Sequence, residues 1–260
     1  MKVYKAYAKV NIFLKITGLR GNYHEIISRF MRVDSLYDEL SFTPKEDTKF
    51  QIKGEFSCAT EQNTIYKAYM ALKSATESQA LERLMQTHAV EVKKSIPAFA
   101  GLGGGSSDAA VYLKMCNEVL HLGLSLNELA TVGLKVGADV PFFIYGYDSA
   151  NVSGIGEIVE EFKEPLLDFE VFTPDVKIST PKVYQVYREN FFDPIDGFEV
   201  QELKQTTSTD VLNAMGASEA NDLFEPALHQ YKDLKQYYKH GWYFSGSGSS
   251  FFKPKEKNNG

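Results

Sequence analysis

A glycine-rich segment followed by two serines carries the clearest chemical meaning in this sequence. Residues 96–110 read IPAFAGLGGGSSDAA, and four of the five residues from Gly101 to Gly105 are glycine. At an average glycine usage of about 7%, four specified glycines occur by chance in about two of 100,000 windows. Glycines let a ligand approach backbone N–H groups closely, and the start of a following helix favours negative charge. The segment therefore predicts a phosphate-binding loop.

Two other phosphate-binding motifs do not fit this loop. A Walker A loop needs a lysine directly after its last glycine, and Ser106 stands there instead. A dinucleotide-binding fingerprint needs a glycine at position 106 and a strand directly before Gly101. The non-functional alternative is a flexible surface loop ahead of a helix, and the rigid Pro97 argues against it.

Lys9 and Asn11 lie on a segment that predicts a strand. Residues 8–17 alternate regularly, with apolar side chains on one face. Lys9 and Asn11 share the other face, roughly 6–7 Å apart, and could bind one ligand together. The alternative for Lys9 is an ordinary exposed strand lysine.

Asp139 is a candidate general base for the deprotonation of a hydroxyl. It lies in GADVPFF (137–143), just beyond a predicted helix end, and Pro141 favours an extended conformation of Val140. The alternative is an Asx turn that ends the helix.

The elements that must position these residues mix strands and helices. Further strands are predicted at residues 39–43, 49–53, 89–93, 150–153, 158–162 and 170–173. Helices are predicted at residues 63–74 (capped by Asn63 or Thr64), 106–120, 126–136 (capped by Ser125), 181–189, 208–214 and 223–231. A glycine/serine turn is predicted at 245–250. Regular βαβ alternation is missing, so the pattern predicts an α+β fold in two domains, 1–152 and 153–260.

Composition narrows the class of protein. The 260 residues are 43% hydrophobic and 24% charged, with a net charge of −6, which is typical of a soluble globular protein and lacks the basic stripe of a nucleic-acid binder. Two cysteines without a CxxC motif favour a reducing compartment. Lys9 and Lys15 interrupt any signal-peptide core, and no apolar run approaches the roughly 20 residues of a membrane span. We therefore expect a cytoplasmic protein with no nucleic-acid or membrane partner.

The sequence resembles the GHMP kinase superfamily, which includes galactokinase, homoserine kinase and mevalonate kinase. The glycine loop carries the resemblance, together with AKVNIFLKITGLRGNYHE (8–25), GADVPFF (137–143) and SGSGSSFF (245–252), in the order in which the family has them. The last three segments resemble the branch whose substrate carries a diphosphocytidyl group. The resemblance implies an N-terminal domain with the ribosomal-protein S5 domain 2-like fold. It also implies a C-terminal ferredoxin-like domain, shortened here because the chain ends soon after residue 252.

The resemblance implies an ATP-dependent kinase acting on a small molecule, with Mg²⁺ bridging the ATP phosphates. Asp139 matches the catalytic aspartate, and Lys9 matches a lysine that stabilises this carboxylate and the attacking hydroxyl. The residues implied to hold ATP are Pro97, Ala98, Phe99, Ala100, Gly101, Leu102, Gly103, Gly104, Gly105, Ser106 and Ser107 in the loop, with Asn63 and Lys94 near the adenine. A helix cap and a surface lysine are the alternatives for the last two. The metal ligands and the oligomeric state are not predicted.

The residues implied to bind the acceptor substrate are Asn11, Tyr23, His24, Thr180 and Tyr184. Asn11 is expected to hydrogen-bond the substrate, and Tyr23 and His24 to contact the cytosine. Tyr184 is expected to form the second face of a sandwich around that base. The alternative for Tyr23 and His24 is a core aromatic beside a surface histidine. Another GHMP kinase, or a non-catalytic nucleotide-binding relative, is the alternative for the whole chain. Asp108 is assigned only a favourable interaction with the helix dipole.

Overall fold

The computed structural model describes residues 2–255. The strands are β1 (Tyr4–Arg20), β2 (Tyr23–Pro44), β3 (Ile52–Lys53), β4 (His88–Lys93), β5 (Ser149–Gly154), β6 (Ile158–Glu161), β7 (Phe169–Phe172), β8 (Tyr243–Phe244) and β9 (Phe251–Pro254). The α-helices are α1 (Thr64–Thr76), α2 (Gln79–Thr87), α3 (Gly104–Val119), α4 (Leu126–Leu134), α5 (Val140–Tyr145), α6 (Thr180–Asn190), α7 (Gly197–Gln205), α8 (Ser208–Ala214), α9 (Ala217–Ala220) and α10 (Phe224–Gln230). Short 3₁₀ helices cover Thr60–Gln62 and Lys232–Tyr237. The mixed α and β content agrees with the predicted class.

The chain forms two compact units that interleave along the sequence. Unit one contains the residues up to Ala8, Leu36–Ala98 and Gly103–Gly146. Unit two contains Lys9–Ser35, Phe99–Leu102 and the residues from Tyr147 onward. The division into domains 1–152 and 153–260 stays a prediction.

Unit one combines a small group of strands with packed helices. The second half of β2 pairs antiparallel with β4, with Leu40 opposite Val92, and β3 pairs parallel with β4. Helix α1 packs against α3, and α5 packs against both α3 and α4. Close packing of α4 and α5 depends on Gly133, because a Cβ there would lie 2.6 Å from Cγ1 of Val140. This contact fixes the start of α5, next to Asp139.

Unit two contains β1 from Lys9 onward and the first half of β2, which are joined by a tight turn at Gly21–Asn22. The first half of β2 pairs antiparallel with β5, which pairs antiparallel with β6. A separate three-stranded sheet has the order β7-β9-β8. Its core buries side chains from β1, α6, α10 and β9, including Leu14, Val183, Phe224 and Phe251.

The structure corrects several element boundaries. Strand β2 runs unbroken over 22 residues, whereas the sequence predicted only 39–43. The side chains of residues 26–31 are all buried, so the alternation that marks a half-exposed strand is missing there. Helices α2, α5, α7 and α9 were not predicted. In the described part of the chain, no helix is long and apolar enough to cross a membrane.

Candidate functional site

The glycine loop connects β4 to α3, and its two stems meet in unit one. Helix α3 begins at Gly104, two residues earlier than predicted, with Gly103 in the left-handed conformation as N-cap. Ile96 packs directly on Gly104, where a Cβ would lie 2.8 Å from Cγ2 of Ile96. The hydroxyl of Thr64, at the start of α1, donates to the carbonyl of Gly105 at 2.6 Å. The first turn of α3 is therefore held from two sides.

Asp139 stands directly before α5, and the expected extended conformation of Val140 is wrong. Val140 is the first residue of α5 and is fully buried. Proline is well tolerated in the first turn of a helix, where its missing N–H has no intrahelical partner, so Pro141 starts this helix. The Asp139 side chain makes no capping hydrogen bond to α5. A Cβ at Gly137, two residues before Asp139, would lie 3.7 Å from Oγ of Ser106, so the GADVPFF segment lies beside the first turn of α3.

Asn63 and Lys94, both assigned to the adenine, have partners within unit one. The Asn63 side chain is the N-cap of α1 and accepts a hydrogen bond from the Ile65 amide at 2.9 Å. The ammonium of Lys94 contacts carboxylates of Asp38 and Asp108, the latter at 2.7 Å. The alternative of a plain surface lysine is therefore wrong for Lys94, while the helix-cap alternative for Asn63 is confirmed. Contact of either residue with adenine stays a prediction.

The ion triad of Lys94, Asp38 and Asp108 is buried. The exposed fraction is 18% for the Lys94 side chain, 0% for Asp38 and 3% for Asp108. Burial disfavours the charged form of Lys94, but attraction to the two carboxylates outweighs it and raises the lysine pKa. Burial also raises the pKa of Asp108 to about 7, although attraction to Lys94 acts in the opposite direction. Because α3 starts at Gly104, Asp108 lies beyond its first turn, and the assignment of Asp108 to the helix dipole is wrong.

Lys9 and Asn11 form a buried polar chain in unit two. Lys9 is only 3% exposed, so the exposed-lysine alternative is wrong. Its ammonium donates to Oδ1 of Asn11 at 2.5 Å, and Nδ2 of Asn11 donates to Oγ of Ser28 at 2.9 Å. The Ser28 hydroxyl donates in turn to the carbonyl of Phe13. The predicted pairing of Lys9 with Asn11 on one strand face is therefore confirmed.

Residues 245–250, here called the Gly/Ser turn, hold the glycine-loop residues that belong to unit two. The Ser245 hydroxyl donates to the carbonyl of Gly101 at 2.9 Å, and the Ser250 amide donates to the carbonyl of Ala100 at 3.1 Å. On the other side, the Lys9 amide donates to the carbonyl of Leu102 at 3.0 Å. Three successive carbonyls of the loop are thus fixed. The Gly/Ser turn therefore supports the glycine loop.

The same turn also reaches residues assigned to the acceptor substrate. A Cβ at Gly246 would lie 3.2 Å from Oδ1 of Asn11, and Oγ of Ser247 lies 2.6 Å from Oγ1 of Thr180. Nδ2 of Asn221 donates to the carbonyls of Phe244 and Gly246, which holds the start of the turn. One short segment therefore contacts both the glycine loop and two of the predicted acceptor residues.

His24 and Tyr184 lie side by side, whereas Tyr23 points toward solvent. The rings of His24 and Tyr184 are 5.0 Å apart, and Tyr23 is 65% exposed. Among the described residues, the buried Nε2 of His24 has no hydrogen-bond partner. Burial and repulsion from Arg188 lower the pKa of His24, which favours the neutral imidazole. The alternative of a core aromatic beside a surface histidine is therefore wrong, because His24 is buried and Tyr23 is exposed.

Comparison with known proteins adds the family. A family model described as the GHMP kinases N terminal domain matches residues 63–147, which include the glycine loop and Asp139. A protein of Sulfurimonas denitrificans named 4-diphosphocytidyl-2-C-methyl-D-erythritol kinase is 71% identical across 100% of this chain and 99% of its own length. The chain belongs to this family of GHMP kinases. A second member, from Sulfurovum, is 46% identical over 96% of this chain and 98% of its own length.

A solved structure agrees with this membership. The crystal structure of a 4-(cytidine 5'-diphospho)-2C-methyl-D-erythritol kinase superposes with a TM-score of 0.74 at 29% identity, covering 98% of this chain and 90% of that one. The chain is accordingly a kinase, a phosphotransferase with an alcohol group as acceptor.

For a GHMP kinase, the sequence pattern identified the glycine loop but missed much of its support. Asp38, Asn221 and Ser245 each hold backbone groups of the loop stems or of the Gly/Ser turn. Ser245 lies in a motif that had been noted, whereas Asp38 and Asn221 carry no local signal. For the three residues together, the partners in these contacts lie 25 to 144 positions away along the chain.

Proposed function

We propose that this chain uses ATP to phosphorylate the 2-hydroxyl of 4-diphosphocytidyl-2-C-methyl-D-erythritol, a step of the non-mevalonate route to isoprenoid precursors. The observation that carries the proposal is the 71% identity, over the whole chain, to a protein named for this activity. The buried His24, with a free Nε2 beside the ring of Tyr184, supports an acceptor that carries a flat base.

The proposal places the ATP phosphates on the backbone amides of the glycine loop and on Ser106. Left-handed Gly101 and Gly103 shape this loop, and fixed N–H groups bind negative charge without paying for reorientation. Asn63 and Lys94 are proposed to contact the adenine. Because Lys94 already bonds two carboxylates, we expect it to act on the nucleotide without leaving them.

The proposal assigns Asp139 as the base that takes the proton from the 2-hydroxyl. Lys9 is proposed to stabilise the negative charge of Asp139 and of the attacking oxygen, and Asn11 to hydrogen-bond the acceptor. Phosphoryl transfer depends mainly on positioning and charge stabilisation. The bond from Lys9 to Asn11 supports these roles, because it fixes the buried ammonium in one place.

Tyr23, His24, Thr180 and Tyr184 are proposed to hold the diphosphocytidyl group. Neutral His24 can bond the base edge through Nε2, and Tyr184 borders the same space. The exposed Tyr23 can stack on the base from the solvent side. Thr180 starts α6 and is held by Ser247.

Mg²⁺ is proposed to arrive bound to ATP. Within residues 2–255, no group of three or more His, Cys, Asp or Glu side chains could hold a metal ion. Magnesium in kinases is bound mostly by substrate phosphates and one or two carboxylates, so no such cluster is needed. When bound, the ion neutralises phosphate charge.

The direct experiment measures ADP release by the purified protein with MgATP, with and without the proposed acceptor. ADP that forms only with this acceptor, and is suppressed by CDP or CMP, supports the proposal. ADP release with homoserine, mevalonate or a sugar instead would show another GHMP kinase. ATP binding without ADP formation from any acceptor would show a non-catalytic relative.

The base assignment is tested by Asp139→Asn. Turnover should fall by far more than tenfold while ATP affinity stays within about twofold, because the amide cannot accept the proton. A matched control is Asp148→Asn, which changes a half-exposed carboxylate that pairs with Arg32. The assignment is wrong if Asp139→Asn keeps more than about a tenth of the wild-type rate, an effect under about 1.4 kcal/mol.

A further inference from the structure

Asp38 directly bonds the stem that precedes the glycine loop, although it lies far from the loop in the sequence. Its Oδ1 accepts hydrogen bonds from the amides of Ser95 and Ile96, the latter at 2.9 Å. These amides directly precede the loop. Its Oδ2 contacts the ammonium of Lys94. All four residues belong to unit one.

The other stem is α3, which the same network reaches through Lys94. The Lys94 ammonium bonds Oδ2 of Asp108 on α3 at 2.7 Å. Asp108 Oδ1 is buried, and no hydrogen-bond partner for it occurs among the described residues. Asp108 thus bonds Lys94 through Oδ2. Ile96 closes the arrangement by packing on Gly104, the first residue of α3.

We propose that Asp38 is a positioning residue for the donor nucleotide, because it fixes the spacing of the two loop stems through the Ser95 and Ile96 amides and through Lys94. This inference rests on the proposed role of the loop in binding ATP. A loop whose stems are fixed before ATP arrives loses little conformational freedom on binding. We expect Asp38 to act only through the loop, without touching a reacting atom.

Two substitutions distinguish the hydrogen bonds that Asp38 accepts from the two amides from its contact with Lys94. Asp38→Ala removes both kinds of contact. Asp38→Asn keeps Oδ1, which accepts both amides, but presents an N–H₂ group to the ammonium of Lys94. We expect ATP affinity to fall at least tenfold in Asp38→Ala and about threefold in Asp38→Asn.

Acceptor binding should respond differently from ATP binding. Tyr23, His24, Thr180 and Tyr184 all belong to unit two, whereas Asp38 and its partners belong to unit one. The KM for the acceptor should therefore stay within twofold in both variants. A role in folding alone would lower the yield and the melting temperature without separating the two KM values.

Glu164→Gln is the matched control. Glu164 is also a buried carboxylate that accepts a backbone amide, from Ser208, and pairs with a cation, Arg29, but it lies in unit two. This variant should lose stability as the Asp38 variants do, yet bind ATP as the wild type does. It shows how far destabilisation alone changes the ATP affinity.

The experiment measures MgATP binding by titration calorimetry and both KM values by ADP release for all four proteins. Graded loss of ATP affinity, largest in Asp38→Ala, with an unchanged acceptor KM, supports the inference. If Asp38→Ala does not fold, a threefold loss in Asp38→Asn relative to Glu164→Gln carries the same meaning. Wild-type affinity in Asp38→Asn and in any folded Asp38→Ala overturns the inference. A wild-type protein that binds no MgATP overturns the proposed function itself.

Discussion

Gly101→Ala should damage the protein more than its backbone conformation alone explains. Gly101 has φ +72°, in the left-handed region that costs an L-residue about 1–2 kcal/mol. An added Cβ would also lie 2.1 Å from the carbonyl oxygen of Ser245 and 3.1 Å from backbone atoms of Gly248. Ordinary contact needs more than 3 Å, so the loop and the Gly/Ser turn must separate by about 1 Å.

That separation breaks two hydrogen bonds between the loop and the turn. They run from the Ser245 hydroxyl to the Gly101 carbonyl and from the Ser250 amide to the Ala100 carbonyl. Each contributes about 1 kcal/mol net. With the backbone cost, the free energy of unfolding should fall by about 3–4 kcal/mol, and kcat/KM for ATP should fall at least tenfold because the loop amides are no longer fixed.

Gly123→Ala is the matched control, because Gly123 has the same φ of +72° and no atom lies within 4 Å of its added Cβ. It should lose only the backbone cost of about 1–2 kcal/mol and keep its activity. Urea denaturation followed by far-ultraviolet circular dichroism measures the stabilities, and ADP release measures the rates. Equal losses of stability in the two variants, with equal activities, would show that the turn does not hold the loop.

Three further predictions concern buried polar groups. Glu164→Gln leaves Arg29 buried without its countercharge and should lower the free energy of unfolding by about 3 kcal/mol in a urea titration. The control Glu82→Gln changes a half-exposed pair with Lys73 and should alter this free energy by under about 1 kcal/mol. Asp108→Asn removes a carboxyl whose pKa rises from 3.8 to about 7 on folding, so the wild type loses stability as pH rises through this range. Between pH 5 and pH 8, the free energy of unfolding of the variant should therefore gain about 3 kcal/mol relative to that of the wild type. A difference that does not change with pH would contradict the assignment. Burial and Arg188 lower the pKa of His24, so kcat/KM for the acceptor should fall only below about pH 6.5. His24→Gln should reduce this kcat/KM 10- to 100-fold. If the variant still loses activity at low pH in a pH–rate profile, another group titrates.

Local chemistry explains why much of the fold was predictable. Asn63 caps α1 through an amide two residues away, and Ser125 forms a capping box with Glu128 three residues away. Such contacts are complete within one turn of chain and leave a clear mark in the sequence. Strand β2 was missed over residues 23–38 for the opposite reason, because its buried run lacks alternation.

In the candidate site, too, residues with a local sequence signal could be predicted and residues that depend on distant contacts could not. The glycine loop, Lys9 and Asn11 were predictable because composition and spacing mark them. Asp38 was not, since its partners Lys94, Ser95 and Ile96 are 56 to 58 positions away and an aspartate in a strand has no distinctive pattern. Pro141 misled the prediction, because a proline shortly after a helix end can follow an extended residue or begin the next helix.

The Gly/Ser turn determines when, during synthesis of this enzyme, the glycine loop can complete its hydrogen bonds. The glycine loop leaves the ribosome 144 residues before Ser245, which bonds it. At ~5–20 residues per second, roughly 7–30 s separate the synthesis of the two segments. During this interval helix α3 can form, but the carbonyls of Ala100 and Gly101 lack their partners. A nascent chain therefore completes the hydrogen bonds of its glycine loop only after residues 245–250 have been made, and a chain that stops shortly before residue 245 would contain the loop without the partners that fix it.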